Sequence, residues 1–383
     1  MRAQLASHVF DNARVLAFQH PLVAPPPLGF RGGPVIADPA HAQLRHTRYW
    51  QPVDSFLNDA KFATVIPDEL QYAGPIYHHF GHYMSEMAHR FLPTIKRFDP
   101  KRWLFVGPEQ ASAPDAQHNF PTFLKEVLSF FGIGHEKITV INQNSIIRSL
   151  GIVEQGSDFG GGPKPGYLGD LRDFSEPRLN EYPSPSAVSK KVYVSRRHMP
   201  VSGSFLGERY LEELLEDEGF VIYFPEKHSL IHQMKTYSAS EVLVFSEGSA
   251  CHGTELLGEQ ALNRCYLLVR RADHKDIFSR VLSPRSQHFA IFEDTFYLGS
   301  IVGRKGEAVS GYHGVSVFNC DSLIASLREN RIARLDSFDK SRFLDSVERD
   351  MGRYILQNIA AETVSSLEHI AAVVSQLARL RLD

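Results

Sequence analysis

Val192-Tyr193-Val194-Ser195-Arg196-Arg197 and Val242-Leu243-Val244-Phe245-Ser246-Glu247-Gly248-Ser249-Ala250-Cys251-His252-Gly253 are the two stretches whose reading decides the fold. Each opens as a short apolar run rich in β-branched and aromatic residues, the composition of a buried strand. Between them the pattern gives a helix over 205–218 stopped by Gly219, a strand over 220–224 ended by Pro225, and a helix over about 229–237. Beyond them it gives a helix from about 249 to 257 and a strand over 266–269. This βα repeat, closed by right-handed crossovers, predicts a Rossmann-like domain with a parallel sheet.

Both strands run into groups suited to phosphate. Arg196 and Arg197 stand just past a strand's carboxyl end, the edge at which open α/β sheets bind ligands. Guanidinium offers a planar fork of donors that stays charged, which suits a diphosphate. The competing reading is an ion pair with Glu212, Glu213 and Glu216 of the next helix. Gly248, Ser249 and Ala250 allow close backbone approach at a helix start, where free N–H groups favour anions. Glu247 fits a sugar or ribose hydroxyl better than a phosphate, and the competing reading of the turn is an ordinary capped helix start.

Working outward, short strands are expected near 63–66, 103–106, 138–141 and 146–153, interleaved with helices at about 82–97 and 119–131. That alternation predicts a second α/β domain with a mainly parallel sheet. The expected division is an N-terminal domain over 1–160, a Pro/Gly-rich linker over 161–190, a nucleotide-binding domain over 191–335, and a C-terminal helical segment over 336–383. Residues 20–35 read as irregular because of Pro21, Pro25, Pro26, Pro27 and Pro34. In the last segment Val364, Leu367, Ala371, Val374 and Ala378 form a short stripe. It suits packing within the subunit, a homo-oligomer contact through residues 340–383, or peripheral association with a membrane surface.

His82, Glu86 and His89 fall on one helical stripe at i, i+4 and i+7, opposite an apolar face of Met84, Met87, Ala88, Phe91 and Ile95. The polar stripe is therefore expected to look outward, into solvent or a cleft. As chemistry, His82 held by Glu86, or Glu86 alone, accepts a proton from an attacking hydroxyl. A metal site built from His78, His82, Glu86 and His89 is the rival, although the spacing is not HExxH. His228, His252 and His313 read as structural histidines, His252 being the one with suggestive neighbours.

The 383 residues carry a net charge of −3 and 43% hydrophobic residues, so the chain reads as globular, with no field that favours nucleic acid. Three cysteines without a CxxC pair argue against a thiolate zinc site and a disulfide framework. With no apolar h-region after Met1, a cytoplasmic home is expected.

Taken in order, Gly81-His82-Tyr83-Met84-Ser85-Glu86 running to Phe91-Leu92-Pro93, Tyr193-Val194-Ser195-Arg196-Arg197, Gly207-Glu208, Gly219-Phe220, Pro225-Glu226, Ser229 and Glu247-Gly248-Ser249-Ala250 resemble glycosyltransferase family 61, in a bacterial-type variant. The resemblance runs over about 76–270. It departs from the family at 207, where Gly replaces Asn, and at 248–250, where Gly-Ser-Ala replaces a His-Gly-Ala turn and leaves His252 as a substitute for the histidine. The resemblance implies a GT-B-like fold of two Rossmann-like domains facing across a cleft, and an inverting transfer from a nucleotide sugar, expected to be a UDP-sugar, to a saccharide or glycoconjugate acceptor. It also implies catalysis without a metal or other cofactor. Arg196, Arg197, Glu247, Gly248, Ser249, Ala250 and His252 are then the donor-binding residues, and Glu86 or His82 the base. The alternative from another class is a non-catalytic nucleotide- or carbohydrate-binding assembly protein that uses its C-terminal helix.

Overall fold

A computed structural model describes residues 4–19, 30–55, 59–108, 120–183, 190–303 and 309–380. The chain divides into two compact units. Unit 1 is Met1–Pro183 with Ser229–Met234 and His252–Glu259; unit 2 is Ser184–His228, Lys235–Cys251 and Gln260–Asp383.

The main sheet of unit 1 consists of β1 (Ser7–Gln19), β2 (Phe30–Pro34), β3 (Asp54–Ser55), β4 (Thr64–Pro75), β5 (Trp103–Val106), β6 (Ile138–Ile141) and β7 (Ser145–Val153), in the spatial order β3-β2-β1-β7-β4-β5-β6. Strands β7, β4, β5 and β6 are parallel. Thirteen-residue β1 runs antiparallel to both β7 and β2, so the sheet is mixed rather than purely Rossmann-like. Its apolar side chains, among them Val15, Leu70, Leu104, Val106, Ile147, Leu150 and Ile152, form one buried cluster. The Pro-rich opening expected to be irregular holds β2 at its end, and residues 20–29 lie outside the described residues.

The segment expected as a linker, 161–190, contains a helix over Tyr167–Glu181 with Pro177 inside it. Its buried face of Tyr167, Leu168, Leu171 and Leu179 holds the helix through the proline's lost hydrogen bond. Density of Pro and Gly alone therefore misreads this segment.

Unit 2 matches the expected βα repeat. Strands β8 (Lys191–Val194), β10 (Val221–Tyr223), β11 (Val242–Ser246), β12 (Leu262–Leu268) and β13 (Ser286–Phe292) form an all-parallel sheet in the order β10-β8-β11-β12-β13. By position in the chain that order is 2-1-3-4-5, a doubly wound sheet whose direction of winding reverses between β8 and β11. Beside it, β9 (Phe205–Leu206), β14 (Thr295–Gly299) and β15 (Val315–Phe318) make a small three-stranded sheet.

The C-terminal segment forms two helices, Lys340–Ala360 and Leu367–Leu380, rather than one long run. Glu362 at φ 55° breaks them. Ile370, Val373, Leu377 and Leu380 pack into the unit 2 core, while Leu367, Ala371, Val374 and Ala378 point outward. The stripe with the larger side chains removes more apolar surface from water and takes the core. Among the described residues no helix is long and apolar enough to cross a membrane.

Candidate functional site

Unit 1 gathers its polar groups around one carboxylate. Glu86 is fully buried, and three side chains converge on it. His46 Nε2 lies 2.6 Å from Oε2, Arg48 Nε donates to Oε2 at 2.9 Å, and His82 Nδ1 lies 2.6 Å from Oε1. Burial pushes the Glu86 carboxyl up. Hydrogen bonds from His46 and His82, with the charges of His46 and Arg48, outweigh it and hold the group well below the ordinary carboxylate range.

The local backbone explains the placement. The expected helix from residue 82 is a composite: Phe80–His82 is α, Tyr83–Met87 a π turn, Ala88–Arg90 a 3-10 turn and Phe91–Phe98 α again. In the π turn the Ala88 N–H donates to the Tyr83 carbonyl five residues back, a wide turn of the kind often found at functional sites. Contrary to the expected outward stripe, Glu86 and His89 are fully buried and His82 is the member that stays part-exposed. Arg90, also buried, donates to the carbonyls of Leu44, Arg45 and Val153 and to Gln155 Oε1. It thereby fixes the 44–48 segment beside the helix, and Gln155 in turn donates to the Glu86 carbonyl. His46, Arg48 and Arg90 carry no local sequence signal for this role, because they meet Glu86 only through the fold.

A carboxylate only accepts hydrogen bonds, so the His82 nitrogen facing it carries the hydrogen, and in the neutral ring Nε2 holds the lone pair. Around His82 stand His79 at 4.8 Å between ring centroids, Phe159 at 5.1 Å and Tyr77 at 5.8 Å. Partial burial, with His82 and His252 nearby, pushes His79 down to about 4.

His89 and His252 belong to a second buried group. His89 lies 3.0 Å from the Tyr167 hydroxyl and 3.1 Å from one Glu255 oxygen, and His252 lies 3.1 Å from the other. Of the residues of the metal rival, His82 and Glu86 meet, while His89 is engaged with Glu255 instead. Among the described residues no group of three or more His, Cys, Asp or Glu is placed to hold a metal ion.

In unit 2 the carboxyl ends of β8, β11 and β12 carry the charge. Arg196 donates from Nε to the Gly203 carbonyl and from its terminal nitrogen to the Ser202 carbonyl, both at 2.7 Å. A Cβ added at Gly248 would sit 2.3 Å from the Arg196 guanidinium. Glycine at 248 thus lets Arg196 lie across the point where the sheet's winding reverses.

Arg197 is engaged as the competing reading had it: Nε is 2.7 Å from Glu212, which is buried, and the guanidinium lies over Phe224. Burial and neighbouring Glu208 push Glu212 up to about 7, against Ser195 and Arg197.

Glu247 differs most from expectation. It is fully buried, and its oxygens accept from the backbone N–H groups of Arg270 and Arg271 at 2.7 and 2.8 Å and from Arg271 Nε at 2.9 Å. It anchors the backbone of Arg270 and Arg271 and the Arg271 side chain. The expected α-helix over 249–257 is a six-residue 3-10 turn, Ser249–Thr254, too short to offer a developed dipole. Ser249 is exposed, Ala250 half-buried, and His252 belongs to unit 1 rather than to the donor-side cluster.

Arg270 and Arg271 were not singled out from the sequence, although Leu267-Leu268-Val269-Arg270-Arg271 repeats the pattern of a strand ending in an Arg pair. Arg270 is buried, donates to the carbonyls of Gly314 and Tyr312, and leaves Nε without a partner. Burial, with Arg196 and Arg271 alongside, lowers it to about 9. Burial and then all three arginines lower His313, whose Nδ1 is also without a partner. Arg196, Arg270, Arg271 and His313 thus share one neighbourhood with Glu247 as a compensating carboxylate.

At position 207 a side chain would meet Phe343 and Val347 of the Lys340–Ala360 helix. Gly207 also sits at φ 83° and donates its N–H to Asp350. This explains why glycine stands there.

The two clusters define an α/β protein with a histidine–carboxylate centre on one unit and a cationic sheet edge on the other. Residues 80–260 match the family model described as Glycosyltransferase 61. That family's name describes glycosyltransferases, enzymes that use a sugar donor and an acceptor. No match was found among curated proteins.

Proposed function

We propose that the protein is an inverting glycosyltransferase that moves a sugar from a nucleoside-diphosphate donor, a UDP-sugar, to a saccharide or glycoconjugate acceptor in surface-polysaccharide synthesis. The cationic edge at the winding reversal of unit 2 is the observation that carries the donor side. Arg196, Arg270 and Arg271 supply fixed positive charge where an open α/β sheet binds its ligand, and such charge stabilises a departing diphosphate. In this reading that work needs no resident metal, and the two units form a GT-B-like pair in the cytoplasm.

His82 is the base in this reading. Glu86 is held ionised, buried and fully engaged, so it is a poor proton acceptor. It orients the imidazole so that Nε2 takes the proton of the attacking acceptor hydroxyl while the bond from the anomeric carbon to the diphosphate oxygen breaks. Arg48 and His46 keep that carboxylate ionised. Glu86 is therefore a positioning residue.

The test is hydrolysis and transfer from a panel of UDP-, GDP- and CMP-sugars. Turnover with a diphosphate donor is expected, with Arg196→Gln raising donor KM and His82→Ala lowering kcat by about 10²- to 10⁴-fold. Full kcat in His82→Ala would remove the base assignment. No turnover or donor-induced thermal shift with any sugar nucleotide would remove the function.

A further inference from the structure

We propose that the Tyr49-Trp50 hairpin tip, together with Phe159, is a platform on which a pyranose ring of the acceptor stacks beside His82. This rests on the reading of unit 1 as the acceptor side.

Thr47–Arg48 pairs with Gln51–Pro52 through a two-residue loop, Tyr49-Trp50. Both loop residues lie at positive φ, 50° and 60°. That is the geometry of a type I′ turn, which ordinarily takes Asn-Gly or Asp-Gly because side chains beyond the Cβ are strained there. Here the two positions hold the bulkiest kinds of side chain. Such strain persists where the surroundings over-determine it, and it gathers at ligand sites.

The surroundings do so from one side. The Tyr49 N–H donates to the Phe159 carbonyl and the Trp50 N–H to Asp158. Added Cβ atoms at Gly160 and Gly161 would collide with the Tyr49 and Trp50 rings, so this glycine pair is a bed cut for the two aromatics. Lys164 lies over the Trp50 ring at 4.9 Å.

The other side is open. Tyr49 remains 55% exposed, so burial within the protein does not account for a tyrosine at a strained position. Its ring meets Phe159 edge-on at 6.3 Å, and Phe159 in turn lies 5.1 Å from His82. A row of aromatic faces therefore leads from the hairpin tip to the imidazole. The axial C–H groups of a pyranose carry slight positive charge and fit against the negative face of an aromatic ring, while its hydroxyls stay at the rim. A ring held there presents a neighbouring hydroxyl toward His82. Arg48, the residue before the loop, is the same side chain that donates to Glu86, so the platform and the base share one support.

Intrinsic fluorescence gives a direct assay, because the chain has two tryptophans and Trp103 is fully buried. Full-length protein is titrated with methyl glycosides and neutral disaccharides of gluco, galacto, manno and xylo configuration, following emission and acrylamide quenching of Trp50. At least one saccharide is expected to protect Trp50. Tyr49→Asn, which tolerates positive φ and leaves the fold at least as stable, weakens that binding about tenfold, while Tyr49→Phe retains it. No effect of any saccharide on the wild type, or equal binding by Tyr49→Asn, overturns the platform. Binding that needs Tyr49 without transfer from any donor keeps the platform and removes the transferase reading. Transfer with an acceptor KM unchanged in Tyr49→Asn does the reverse.

Discussion

Glu86 in unit 1 and Glu247 in unit 2 are both wholly excluded from solvent, and each organises the candidate site of its unit. Glu86 faces two imidazoles and one guanidinium; Glu247 faces one guanidinium and two backbone N–H groups. The partners decide what each centre does. Imidazole changes its protonation near neutrality, so the Glu86 centre is able to move a proton. Guanidinium does not deprotonate in that range, so the Glu247 centre fixes charge in space. On the proposed reading, one unit serves the hydroxyl that attacks and the other the anion that leaves.

The comparison breaks first if the two carboxylates prove equivalent when removed. Glu86→Ala leaves Arg48 and two histidines converging on an empty buried space, and loss of one partner of a buried ion pair costs about 3–5 kcal/mol. The expected outcome is a fall of that size in unfolding free energy by denaturant titration, with far-UV structure kept at low denaturant. A loss below about 1 kcal/mol would mean that water replaces the carboxylate and that the centre is not held as described.

Glu247→Gln sharpens the difference in kind. It makes the unit 2 edge more positive by one charge, so simple electrostatics calls for tighter anion binding. Glutamine, however, turns one acceptor into a donor opposite the N–H groups of Arg270 or Arg271, and Arg271 loses its tether. Preorganisation outweighs the added charge in this account. Inorganic pyrophosphate, titrated calorimetrically, is expected to bind about tenfold more weakly, a difference of about 1.4 kcal/mol. Tighter binding would make Glu247 a mere counter-ion.

These centres were unequally legible in the sequence. Strands such as Trp103–Val106, Ile138–Ile141 and Val242–Ser246 are runs of β-branched and aromatic residues, and composition alone locates them. Strand β1 is not legible in that way, because His8, Asp11, Asn12 and Arg14 interrupt it; only its inner end, Val15–Phe18, is buried. The pairing of His82 with Glu86 follows from helical spacing. The inward direction of Glu86 does not, since its partners His46 and Arg48 come from a segment about forty residues earlier that is fixed by buried Arg90. The engagement of Glu247 is hidden in the sequence for a related reason. Beside a small-residue turn it looks like a ligand reader, and only the adjacent end of β12 shows that it engages Arg270 and Arg271.

The smallest effect is one of pH, and it should take opposite signs around His79 of unit 1 and around Glu212 of unit 2. In unit 1, His79 is held down to about 4, below its ordinary value of 6.5. Between those values the unfolded chain binds a proton that the folded one refuses, so acid weakens unit 1. Glu86 adds to this below about pH 4.5, where the unfolded carboxyl protonates and the folded one does not. In unit 2, Glu212 is pushed up to about 7 from 4.5. There the folded state keeps a proton that the unfolded state releases, so its contribution is present in acid and is lost as pH rises through 7. Hydrogen-exchange protection factors, corrected for the intrinsic rate, should therefore fall for the amides around 80–98 between pH 7 and 5. Those of the Glu208–Asp217 helix should hold or rise. Protection falling equally in both places would mean that the Arg197–Glu212 pair stays fully ionised, and that these two places do not differ in how they hold protons.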